Sequence, residues 1–128
     1  MRIQSPADVL TARLQARALA SRAGFSPSNL TIIATAVSEV VRNIVEYAKE
    51  GEVVITLISR GAYRKGVEIV AVDQGPGIPD VSMALRDGYS TAKGLGIGLP
   101  GARRLMDEFE ISSEMGKGTT VRMRKWVA

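Results

Sequence analysis

The chain has 128 residues, which fits one domain around one core, and its 45% hydrophobic and 23% charged composition is that of an ordinary folded soluble protein. It contains no cysteine and no histidine, which removes disulfide frameworks, Cys/His zinc sites, thiol nucleophiles, Ser-His-Asp triads and phosphohistidine chemistry on this chain. Seventeen Lys and Arg against 13 Asp and Glu leave a net charge of +4, but the basic residues are scattered and aromatics are only 5%, so no nucleic-acid partner is expected. No apolar stretch approaches the roughly 20 residues that span a bilayer, so no membrane partner is expected and the reading is cytoplasmic.

Residues 1–4 read as a short edge strand. Ser5-Pro6-Ala7-Asp8 then reads as a helix start with a hydroxyl N-cap, a proline in the first turn and an early acid. Val9, Ala12, Ala16, Leu19, Ala20 and Ala23 recur at helical spacing, so a helix is expected to run to about Ala23 and to stop at Gly24. Ser26-Pro27 repeats the same start and opens a second helix to about Lys49, with Gly51 as its stop. Ribbons rich in Val and Ile follow at 52–60 and 66–73, joined by a turn at 61–65 in a hairpin pattern. Residues 79–93 read as a loop with a helical turn near 82–86. A third helix is expected over 98–108, and closing ribbons over 109–114 and 119–126. These elements give an α+β fold: a two-layer sandwich of three main helices on a mixed, mostly antiparallel sheet, forming a single domain over 1–128.

Four constellations could carry chemistry. Glu39 and Asn43 stand one turn apart on the second helix, either as a solvent-facing polar pair or as oxygen ligands for hydrated Mg²⁺ or a water. Asp73-Gln-Gly75-Pro-Gly77 is either an Asx turn leaving a strand or a carboxylate facing a ligand N–H, with glycines that let the backbone approach. Gly94, Gly96 and Gly98 alternate into a helix start, where bared N–H groups could cradle phosphate. Gly96, Gly98 and Gly101 also match a dinucleotide fingerprint, a weak match because no strand precedes them. Gly116-Lys-Gly118-Thr119 reads as a hairpin turn, and the Thr119 hydroxyl matters only if folding brings it beside Asp73.

In this order, on helix, strand end, helix start and strand start, the four motifs resemble the GHKL (Bergerat) ATP-binding fold of gyrase, MutL and histidine kinases. The resemblance covers essentially the whole chain. Within that superfamily, five stretches look like the bacterial switch-protein serine kinases of the RsbT (stressosome) type: Glu39-Val-Val-Arg-Asn-Ile-Val-Glu-Tyr47, Asp73-Gln-Gly-Pro-Gly-Ile-Pro-Asp80, Gly88-Tyr-Ser-Thr91, Gly98-Leu-Pro-Gly101 and Arg104-Leu-Met-Asp-Glu-Phe109. Anti-sigma-factor kinases of the RsbW and SpoIIAB type are related but typically longer.

The resemblance implies an ATP- and Mg²⁺-dependent protein serine/threonine kinase that phosphorylates STAS-domain antagonist or scaffold proteins in a partner-switching stress response. It also implies that the protein, once released, activates a PP2C-type phosphatase. Glu39 would be the general base and Asn43 the Mg²⁺ ligand. Asp73 would take the adenine amino group, with Thr119 assisting through water and Gly75 and Gly77 shaping the pocket. Residues from about 78 to 93 would be the ATP lid, and Gly94, Gly96 and Gly98 would cradle the phosphates. Tyr47 departs from wider kin, many of which carry histidine there. The alternatives are an anti-sigma factor with kinase activity and a non-catalytic, nucleotide-gated binding module.

Overall fold

The computed structural model describes residues 1–75, 98–114 and 116–127. The expected loop and lid at 78–93, and Gly77, Gly94 and Gly96, lie outside the described residues.

A two-residue strand, β1 (Arg2–Ile3), leads into α1 (Ala7–Ser21). The hydroxyl cap expected at Ser5 is replaced by a carboxylate: Asp8 Oδ2 accepts the N–H of Gln4 at 2.7 Å and of Ser5 at 3.1 Å. A carboxylate accepts more strongly than a hydroxyl, and it sits favourably at the positive end of the helix. At α2 (Pro27–Tyr47) the expected cap is present, with Ser26 Oγ accepting from the Asn29 N–H at 3.2 Å. The stop of α2 differs from expectation. Lys49, not a glycine, takes the left-handed turn at φ 70°, and Gly51 is instead the first residue of the next strand. It is glycine because a Cβ there would lie 2.5 Å from the Val72 carbonyl oxygen.

The strands β2 (Gly51–Arg60) and β3 (Arg64–Asp73) form the expected hairpin. Helix α3 spans Gly98–Leu105, shorter than the sequence suggested. Asp107 ends it by turning to β5: its N–H donates to the Arg124 carbonyl at 3.0 Å and its Oδ2 accepts the Trp126 N–H at 2.8 Å. Then β4 (Glu108–Glu114) and β5 (Gly118–Trp126) close the sheet in the order β1-β2-β3-β5-β4. A mixed sheet was expected, but every described pairing is antiparallel.

The three helices among the described residues lie on one face of the sheet. Ala12, Ala16 and Ala20 are fully buried, and their small side chains at four-residue spacing let α1 lie close on α2. Helix α2 is the centre of the molecule: residues 36–41 are buried all round, between α1, α3 and the sheet. Its Ile33, Val37, Val40 and Ile44 share a core with Val53, Ile69, Ala71, Val121 and Met123 of the strands. The opposite face carries a cross-strand charge ladder, in which Arg124 lies between Glu68 at 2.7 Å and Glu108 at 3.4 Å.

Candidate functional site

Because α2 is enclosed, Glu39 is no solvent-facing polar residue. It is 8% exposed, and a buried carboxylate needs partners on both oxygens. It has them: Arg42 Nη1 donates to Oε1 at 2.6 Å, and the Gly98 N–H donates to Oε2 at 3.0 Å. Gly98 opens α3 at φ 64°, a left-handed conformation that suits glycine and turns its N–H toward α2. Asn43 stands one turn beyond Glu39, half-buried.

The second cluster forms where β3 ends. Asp73 is 6% exposed and pairs directly with Thr119 across β3 and β5. Its Oδ1 accepts two backbone N–H groups, Gly75 at 2.9 Å and Thr119 at 3.2 Å, and its Oδ2 takes neither. The Asx turn is therefore real, and it leaves one carboxylate oxygen for another donor. Sequence spacing left the meeting of Asp73 and Thr119 open, and the register supplies it. The contact is made by the Thr119 backbone N–H, while its hydroxyl pairs with the Ser113 hydroxyl at 2.9 Å. A cleft of about 190 Å³ opens here beside Asp73, Gln74, Ser113, Lys117 and Thr119.

Gly75 joins the two clusters. A Cβ on it would lie 2.6 Å from Ala48 Cβ, so only glycine lets the chain after β3 lie against the end of α2. Helix α2 thus runs from Glu39 to the Asp73 cluster, nine residues or about 13 Å along its axis. Gly118 holds the far side. Its φ is 101°, and a Cβ there would collide with the Asp73 carbonyl oxygen.

Sequence reasoning missed three contributors. Arg42 carried a signal, an opposite charge three residues from Glu39. Gly118 sat in a recognised turn, but its demand is set by β3, which no local pattern reveals. Ser113 carried no signal.

Residues 4–125 match the histidine kinase-like ATPase domain family. The chain belongs to that family. It is 45% identical over 128 residues to the serine/threonine-protein kinase RsbT of Bacillus subtilis, covering 99% of this chain and 95% of that protein. It is 34% identical over 119 residues to the anti-sigma F factor of Caldanaerobacter subterraneus subsp. tengcongensis, covering 91% of this chain and 83% of that protein. Two solved structures share the fold. The mycobacterial sensor histidine kinase MprB superposes with a TM-score of 0.56 at 20% identity, over 76% of this chain and 71% of that one. Full-length ShkA in complex with AMPPNP superposes with a TM-score of 0.59 at 17% identity, over 96% of this chain and 30% of that one. The family and these relatives support a serine/threonine kinase that uses ATP. Among the described residues no helix is long and apolar enough to cross a membrane.

Proposed function

We propose that this protein is a switch kinase: with ATP and Mg²⁺ it phosphorylates serine or threonine on STAS-domain antagonist or scaffold proteins of a stressosome-like pathway, and when released it activates a PP2C-type phosphatase. The observation that carries the reading is the buried Glu39 carboxylate, held beside the start of α3 at one end of a wall whose other end is Asp73. The relative named a serine/threonine-protein kinase supports transfer to serine or threonine.

The residues present fit the nucleotide and the metal. Asp73 Oδ2 suits an amino donor such as that of adenine, because Oδ1 already takes both backbone N–H groups. Asn43 offers a carboxamide oxygen, a hard donor that suits Mg²⁺, and among the described residues no group of three acidic side chains forms a protein cage. When bound, Mg²⁺ would neutralise phosphate charge, with Asn43 as its protein ligand.

The chain's own residues do the rest. Asp73 fixes the base, the Gly98 N–H holds Glu39 at the positive start of α3, and Glu39 orients the incoming hydroxyl and takes its proton. As the serine oxygen bonds to phosphorus, the terminal phosphoanhydride bond breaks and ADP leaves. Positioning and charge neutralisation supply most of the rate in such transfers. Gly77, Gly94 and Gly96 complete the proposed pocket and phosphate cradle.

The test is transfer of label from γ-labelled ATP to a purified STAS-domain protein of the same genome. Glu39→Gln should slow it at least about 100-fold, within the usual range for loss of a general base. Asn43→Ala should slow it and raise the Mg²⁺ concentration that it needs. Unchanged transfer by both variants would sink the mechanism. The anti-sigma F factor relatives favour a second reading, in which the protein sequesters a sigma subunit. Capture of a purified sigma factor with no transfer to the STAS protein would select it.

A further inference from the structure

Glu39 is gripped from two elements at once. Arg42, a turn further along α2, donates to Oε1 at 2.6 Å, and Gly98 at the start of α3 donates to Oε2 at 3.0 Å. The terminal torsion of a glutamate is broad when free, so a bond on each oxygen is what sets the plane of the carboxylate. Each carboxylate oxygen has about two acceptor sites, so both bonded oxygens keep one lone pair for a further donor.

The pair contributes little to folding by its own chemistry. The Arg42 side chain is 36% exposed, and an ion pair at i,i+3 with one solvated partner adds little to stability. Its geometry is more specific than its energy. A guanidinium is a rigid planar fork, so it orients the oxygen it binds, whereas an ammonium acts as a mobile point charge.

We propose that Arg42 is a positioning residue for phosphoryl transfer, turning the Glu39 carboxylate so that its remaining Oε1 lone pair meets the hydroxyl of the protein substrate. This rests on Glu39 as the general base. In phosphoryl transfer Arg42 acts through Glu39.

The experiment is a double-mutant cycle on the full chain, read as turnover of label from γ-labelled ATP to the purified STAS-domain protein, with ATP affinity and melting temperature measured beside it. Arg42→Met should lower turnover about 30-fold, in keeping with the sensitivity of such reactions to misplacement of about 1 Å. ATP affinity and the KM for the STAS protein should stay within about threefold, because the lost interaction acts in the transition state. Arg42→Lys restores the charge without the fork and should stay more than about fivefold below the parent in turnover; full recovery by lysine would show that charge and not orientation matters, and would overturn the proposal. In the Glu39→Gln background, where slow residual transfer is followed over hours, Arg42→Met should change turnover less than about twofold. Equal losses in both backgrounds would show that Arg42 acts independently of Glu39 and overturn the proposal. So would parental turnover by Arg42→Met where Glu39→Gln is impaired. Parental turnover by Glu39→Gln itself would overturn the base assignment, and the inference with it.

Discussion

Glu39 on α2 and Gly98 on α3, 59 residues apart in sequence, are joined by a 3.0 Å hydrogen bond from the Gly98 N–H to Glu39 Oε2. The first N–H groups of a helix have no partner within it, and this one is satisfied by the buried carboxylate of another helix. The bond therefore locks the start of α3, just after the glycine-rich run, to the middle of α2. Glu39→Ala should lower stability by about 2 kcal/mol, because it orphans a buried backbone donor; the one-third-exposed Arg42 adds little. Glu39→Gln keeps an oxygen for Gly98 and should lose about 1 kcal/mol or less. Urea unfolding midpoints separate the two, and equal midpoints would show that the bond is not what ties α3 down.

Asp73 invites a test of base recognition that leaves its structural role intact. Asparagine keeps an oxygen for the Gly75 and Thr119 N–H groups but replaces the second oxygen with an amide donor. Asp73→Asn should therefore fold, and should bind ATP about 10-fold or more weakly, the usual scale for losing a hydrogen bond to a charged acceptor. Inosine triphosphate carries a carbonyl where adenine has its amino group. The parent should prefer ATP strongly over it, and Asp73→Asn should narrow or reverse that preference in calorimetric titration. A preference unchanged by the substitution would place the base elsewhere.

Helix starts, strand runs and the hairpin were legible in the sequence because each is set by local rules. Ser26-Pro27 caps α2 as its composition demands, and the Val- and Ile-rich runs became β2 and β3. What the sequence left open depends on pairing between distant segments. The register that sets Thr119 opposite Asp73 is decided by how β5 inserts between β3 and β4. The burial of Glu39 follows from α3 packing on α2, so spacing alone left both a solvated pair and a ligand site open. Lys49 and Gly51 show the same limit: Gly51 serves strand pairing, and a lysine takes the left-handed turn after the helix.

The two glycines of the last turn should respond differently to the same change. Both have positive φ, 79° at Gly116 and 101° at Gly118, so alanine at either should lose about 1 to 2 kcal/mol from the left-handed backbone. At Gly116 nothing lies within 4 Å of an added Cβ, so that is the whole effect. At Gly118 the Cβ would strike the Asp73 carbonyl, and overpacking adds a further penalty of about 1 to 3 kcal/mol. Gly118→Ala should also weaken ATP binding, since the forced shift falls on the Asp73 backbone. Matching melting temperatures for the two variants would contradict this account.

Acid should weaken the sheet through Glu108. The Trp126 Nε1–H donates to its Oε2 at 2.6 Å, and the nearby Arg60 and Arg124 guanidinium groups add attraction. The Trp126 hydrogen bond, followed by these two cations and opposed by partial burial, holds the Glu108 carboxyl below its ordinary value of 4.5. A carboxyl with a depressed folded-state pKa binds fewer protons folded than unfolded, so its contribution is fully present above the unfolded value. It is lost as the pH falls below about 4.5 and through the folded value. The Trp126 ring is also stacked under Arg60 at 4.6 Å and Arg64 at 4.8 Å, so its fluorescence reports on the same cluster. Glu108→Gln should melt lower than the parent at neutral pH, and the gap should shrink on acidification below pH 4. A gap that stays constant across that window would mean that Trp126 does not sense the charge of Glu108.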